Sequence, residues 1–166
     1  MAESGEHQPA SDFSVGYVGE PGQRAFFFQI VDDDTTYSYL LEKGQVAAFA
    51  EYAQRLLDAI GFSESGAVLQ PPPPLREPDE IDFRIDTMQL RYDEDAGLIA
   101  LTLGPAQSDE PAVVHRLTPA QLDAAARSGG ESVGQGRPKC PKCSLAMDPD
   151  GHVCPTSNGD LRHHRP

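Results

Sequence analysis

Basic residues are scarce in most of this chain. Residues 1–136 hold 8 Lys/Arg against 23 Asp/Glu, a net charge of −15. Affinity for nucleic acid comes largely from neutralising phosphates with Lys and Arg, so such a body argues against nucleic-acid binding. An anionic membrane surface is disfavoured on the same ground. Long apolar runs are missing too: none reaches the ~18 residues that a membrane span requires. The first residues, Met1-Ala-Glu-Ser-Gly-Glu-His-Gln-Pro9, are polar and acidic, the opposite of a secretory signal. Cysteine is limited to three residues, all between positions 140 and 154. An odd, clustered set does not build a disulfide framework, so a reducing, cytoplasmic setting is expected. Apolar residues make up 39%, and 15 Pro and 15 Gly lower the regular-structure content, which predicts a real core with substantial loops.

What is present organises into one α+β domain, residues 12–128, between a disordered N-terminus (1–11) and a C-terminal tail. Arg24-Ala-Phe-Phe-Phe-Gln-Ile30 reads as a strand, Asp32-Asp33-Asp34-Thr35 as a turn and Tyr37 to Leu41 as the returning strand. A helix starts near Lys43, with Val46, Phe49, Ala50, Ala53, Leu56, Leu57 and Ile60 on one face and Gly61 at its C-terminal cap. Residues 66–79 include Pro71 to Pro74 and read as an extended proline-rich linker, a spacer in preference to a recognition motif. The pattern then recurs. Met88 to Tyr92 and Leu98 to Leu103 are strands around an acidic turn, Val113 to Leu117 is a further strand, and Thr118-Pro119-Ala120-Gln121 opens a helix with capping-box chemistry. That helix is expected to end near Gly129-Gly130, leaving 129–139 as a flexible connector. Aligning Leu40-Leu41 with Arg116-Leu117 matches Gln45 to Gln121. The expectation is two β-β-α units forming one antiparallel sheet with helices on one face.

The tail, residues 140–166, carries the most legible chemistry. It reads Cys140-Pro-Lys-Cys143-Ser-Leu-Ala-Met-Asp148-Pro-Asp-Gly151-His152-Val-Cys154. Two cysteines separated by two residues form a knuckle that aims both thiolates at one ion. The Asp148 to Gly151 turn returns the chain, and His152 and Cys154, two apart in an extended segment, face the same way. Three thiolates and one imidazole fill a tetrahedral zinc shell near ~2.3 Å for sulfur and ~2.0 Å for nitrogen. A filled shell marks a structural site for one zinc ion, and the ion supplies much of the tail's folding energy. Asp148, His163 or His164 are alternatives to His152 as fourth ligand. A redox pair is the competing reading of Cys-Pro-x-Cys, but that chemistry needs the first cysteine at a helix N-terminus after a strand.

Three stretches carry a resemblance: Gly16 to Gln29, Leu41 to Val46, and Gly136-Arg-Pro-Lys-Cys140 through Asn158-Gly159. Together they resemble the actinobacterial domain of unknown function 3090 family over about residues 12–160. Two positions depart from the family pattern: Ser144 stands where the family carries Gly, and Thr156 where it carries Arg. Neither removes a ligand. The resemblance implies a cytoplasmic protein with a metal-binding tail and no established activity. It also implies an association with a phosphate-related pathway, since members are often encoded beside histidine-phosphatase-like and lipid-kinase-like proteins.

Elsewhere the signals are weaker. Gly16-Tyr-Val-Gly19-Glu-Pro-Gly22-Gln-Arg24 lacks the context of a dinucleotide or phosphate loop and reads as a turn between strands. Arg24 beside it either binds an anion or pairs with an Asp. Asp32 to Asp34 and Asp93 to Asp95 lack the ligand spacing of a calcium loop and read as exposed acidic turns. His115 reads as a satisfied or surface histidine in preference to a catalytic base. No serine elbow, His–Cys nucleophile or hydrolytic carboxylate pair is visible, so no catalytic residue is assigned. The expected function is a non-catalytic zinc adaptor with a protein partner. The alternative is an enzyme or small-molecule sensor in a phosphate-related pathway, with its site between the halves of the body.

Overall fold

In a computed structural model, the described residues are 8–20, 22–62, 71–106, 109–134, 139–145, 147 and 152–156. The order of elements is β1 (Asp12–Val18), β2 (Ala25–Asp32), β3 (Thr35–Leu41), α1 (Lys43–Ala59), β4 (Phe83–Asp93), β5 (Leu98–Pro105), β6 (Val113–Leu117) and α2 (Pro119–Gly134). Each half is therefore three strands and a helix, one strand more than a β-β-α unit; the three strands read in the second half are all present, and the first half has one beyond the two read. The strand not singled out is β1. Its inward residues, Phe13 and Val15, alternate with Ser14 and Gly16, so its apolar signal is thin.

All six strands form one sheet in sequence order. Within each half the pairing is antiparallel. The halves join through a parallel pair, Tyr39 with Phe83 and Leu40 with Arg84, so the sheet is mixed and not wholly antiparallel. Parallel neighbours require a crossover, which α1 and the proline-rich segment supply. At the other edge the Ala10 N–H donates to the Arg116 carbonyl at 2.7 Å, so the curled sheet brings the start of β1 to β6.

One sheet face carries the core and both helices. Phe49 of α1 packs edge-on against Phe13 and Phe28, with centroids 5.9 and 4.7 Å apart. Each such fully buried ring contributes on the order of 1.5–3 kcal/mol. The tight β2–β3 hairpin follows from Asp33 (φ 47°) and Asp34 (φ 62°), both left-handed, as a two-residue primed turn demands. The β1–β2 connection does contain the glycine-spaced stretch as a turn. Gly19 sits at φ +105°, and a Cβ there would lie 2.5 Å from the Gln23 carbonyl oxygen.

Two further expectations are corrected. First, α2 runs through Gly129-Gly130 to Gly134, so residues 129–134 are helix and not connector. Residues 135–138 lie outside the described set. The helix keeps Gly129 because it crosses β1 and α1 closely: a Cβ there would sit 3.2 Å from Val15 and 3.3 Å from Val46. Ser128 Oγ adds a hydrogen bond to the Val15 carbonyl at 2.8 Å. Second, the described part of the 66–79 linker is no free spacer; residues 66–70 lie outside the described set. Residues 71–76 lie across the sheet's other face. Gln29, nearly buried, accepts the Arg76 N–H at 3.0 Å and donates to the Arg76 carbonyl at 3.2 Å. Ser14 Oγ donates to the Pro73 carbonyl at 2.7 Å. Prolines have no N–H, so this strap covers a face while bringing few donors that need partners.

Candidate metal centre

The tail begins with a knuckle closed by two backbone bonds. The Ser144 N–H donates to the Cys140 carbonyl at 2.8 Å, and the Cys140 N–H to the Leu145 carbonyl at 2.8 Å. To make that reversal Ser144 adopts φ 61°, the left-handed region that favours glycine.

The knuckle brings Cys140 and Cys143 beside the returning His152 and Cys154. The ligand atoms of these four residues all lie within 4.8 Å of one another. Cys140 Sγ is 3.9 Å from Cys154 Sγ, and Cys143 Sγ is 3.3 Å from His152 Nε2. A tetrahedron with sulfur at ~2.3 Å and nitrogen at ~2.0 Å has edges of about 3.5–3.8 Å, so the donor set fits such an ion. All three cysteines are free thiols. Cys140 and Cys154 are buried, with Met147 packed against them as the inner apolar residue. The alternative fourth ligands Asp148, His163 and His164 lie outside the described residues.

The surroundings split the thiols. Thr156 Oγ1 lies 3.2 Å from Cys154 Sγ, and that side-chain hydrogen bond holds the Cys154 thiol down at about 7, against the opposing effect of burial. Burial first, and then the neighbouring thiols of Cys140 and Cys154, push the Cys143 thiol up. Thr156 therefore favours the thiolate that binds metal. In the sequence it stood out only as a departure from the family pattern.

The other candidates fall elsewhere. His115 is buried between two partners: Tyr39 Oη lies 2.7 Å from its Nε2 and Asp32 Oδ2 lies 3.2 Å from its Nδ1. Asp32 thus leaves the acidic turn to serve a histidine. Asp93 accepts the Ala96 N–H at 3.2 Å and meets Arg116 at 3.3 Å, and this backbone bond, with Arg116, holds its carboxyl below the usual range. Neither acidic turn contributes to a metal-ligand group among the described residues. The Arg24 guanidinium lies 4.1 Å above the Tyr17 ring. Among the described residues, no helix is long and apolar enough to cross a membrane.

Fold and site together define an α+β protein with a cysteine–histidine group able to hold a metal ion. The family described as "Protein of unknown function (DUF3090)" matches residues 6–154, most of the chain, and the chain belongs to it. No curated protein and no solved structure matches the chain.

Proposed function

We propose that this protein is a cytoplasmic, non-catalytic adaptor whose tail is folded around one structural zinc ion and presented to a protein partner. The observation that carries the reading is the convergence of Cys140, Cys143, His152 and Cys154 within 4.8 Å. Zinc is favoured because three soft thiolates and an imidazole in tetrahedral spacing suit it above the harder divalent ions. When bound, the ion cross-links the two ends of the tail. Four protein donors fill its shell and leave no open position for water or substrate, which favours a structural role over a catalytic one. Three free thiols held at ligand distance suit a reducing compartment.

The test is metal analysis of protein purified without added zinc. The reading expects about one zinc per chain, falling steeply in Cys140→Ser. Substoichiometric metal that does not change in Cys140→Ser would overturn it.

A further inference from the structure

We propose that the tail docks onto the acidic body of a second copy of this chain, forming a closed two-fold dimer. This rests on the metal-held fold of the tail. Two large apolar side chains of the tail point outward. Val153 is 65% exposed and Leu145 is 53% exposed. The ligands dictate this. Val153 lies between His152 and Cys154, which both turn toward the metal site, so the residue between them faces out. Leu145 closes the knuckle with its carbonyl while its side chain is left in water. Among the described residues, Met147 fills the interior beside the cysteines. A fold held by ligands has no inner place for the other two.

The charge around these side chains narrows what they meet. Lys139 and Lys142, next in sequence to Cys140 and Cys143, are both exposed, and residues 137–166 hold 5 Lys/Arg against 3 Asp/Glu. The tail thus presents an apolar knob with a basic rim. The body presents the complement just before β4, in Asp79-Glu80-Ile81-Asp82. Ile81 is 47% exposed, and Asp79 and Glu80 beside it are exposed. An apolar knob ringed by cations matches an apolar residue ringed by anions. When each tail takes the other body, the contact is reciprocal and closes at two copies.

Sedimentation velocity of the zinc-loaded full chain tests this across a micromolar range, at low and high salt, with zinc measured in every sample. The proposal expects a dimer that weakens as salt rises. Leu145→Ser with Val153→Ser weakens it by about tenfold or more while zinc is retained, and Ile81→Ser does the same. Lys139→Glu with Lys142→Glu also breaks it, and adding Asp79→Lys with Glu80→Lys to the same chain restores it. A zinc-loaded monomer at every concentration would overturn the docking and leave the site reading intact. So would a dimer indifferent to the tail variants, or one that the double charge reversal fails to restore. A wild-type chain that holds no zinc defeats the site reading itself.

Discussion

Tyr39 and His115 hold the same position in the two halves and meet each other, with Tyr39 Oη 2.7 Å from His115 Nε2. Each lies on the third strand of its half, three residues before the helix-capping residue, Glu42 or Thr118. Burial, with Asp82 adding to it, pushes the Tyr39 phenol well above its ordinary value, so it stays protonated and donates to the imidazole. The other ring nitrogen then donates to Asp32. The capping glutamines repeat the theme. Gln45 accepts the Glu42 N–H and donates to the Ile85 carbonyl, while Gln121 accepts the Thr118 N–H and donates to the Ala10 carbonyl. Each half's helix start is thus tied to a strand, or strand approach, of the other half.

The Tyr39–His115 bond joins the halves inside the core. Tyr39→Phe leaves the imidazole nitrogen short of a donor and is expected to cost about 1–3 kcal/mol. His115→Leu strands the phenol and the partly exposed Asp32 and costs at least as much. Urea unfolding measures both, and the double variant is expected to cost less than the sum of the two.

Ser144 bears a left-handed backbone that a side chain disfavours by roughly 1–2 kcal/mol. Ser144→Gly is expected to tighten zinc binding several-fold, and Ser144→Val to weaken it. Competition with a chromophoric chelator reads both. Equal affinities in the three proteins would contradict the strain.

Thr156 sets the Cys154 thiol. Within the folded tail that hydrogen bond holds the titration midpoint of Cys154 at about 7, and zinc affinity followed across pH by competition with a chromophoric chelator reports it. Thr156→Val moves that midpoint upward. A bound proton competes with the ion, so below the midpoint zinc affinity falls with pH, and the variant begins to lose affinity at a higher pH than the wild type.

The strap depends on Gln29. Gln29→Leu leaves the Arg76 N–H and carbonyl unmatched and is expected to cost about 1–3 kcal/mol. Limited proteolysis is expected to cut within residues 71–80 faster in this variant than in the wild type.

How much of this was legible in the sequence depends on the range of the signal. The helix face of Val46, Phe49, Ala53 and Leu57 and the Thr118 capping box are local patterns, and both are present as read. The four tail residues come together because ligand spacing within fifteen residues constrains geometry tightly. The end of α2 was not legible, since Gly129 and Gly130 signal termination locally. Only the close approach of Val15 and Val46 explains a glycine that stays helical. The strap was missed for a similar reason: Pro71 to Pro74 read as a spacer until the buried Ser14 and Gln29 are seen to face them. The Tyr39–His115 contact was half visible. The alignment of Leu40 with Arg116 places the two residues at one position, but only the curl of the sheet makes them touch.

X-ray absorption at the zinc edge tests the central claim most directly. For the zinc-loaded full chain the expected shell is three sulfurs near ~2.3 Å and one imidazole nitrogen near ~2.0 Å, with His152→Ala removing the nitrogen contribution. A shell dominated by oxygen, or one unchanged in His152→Ala, would contradict a site made of Cys140, Cys143, His152 and Cys154.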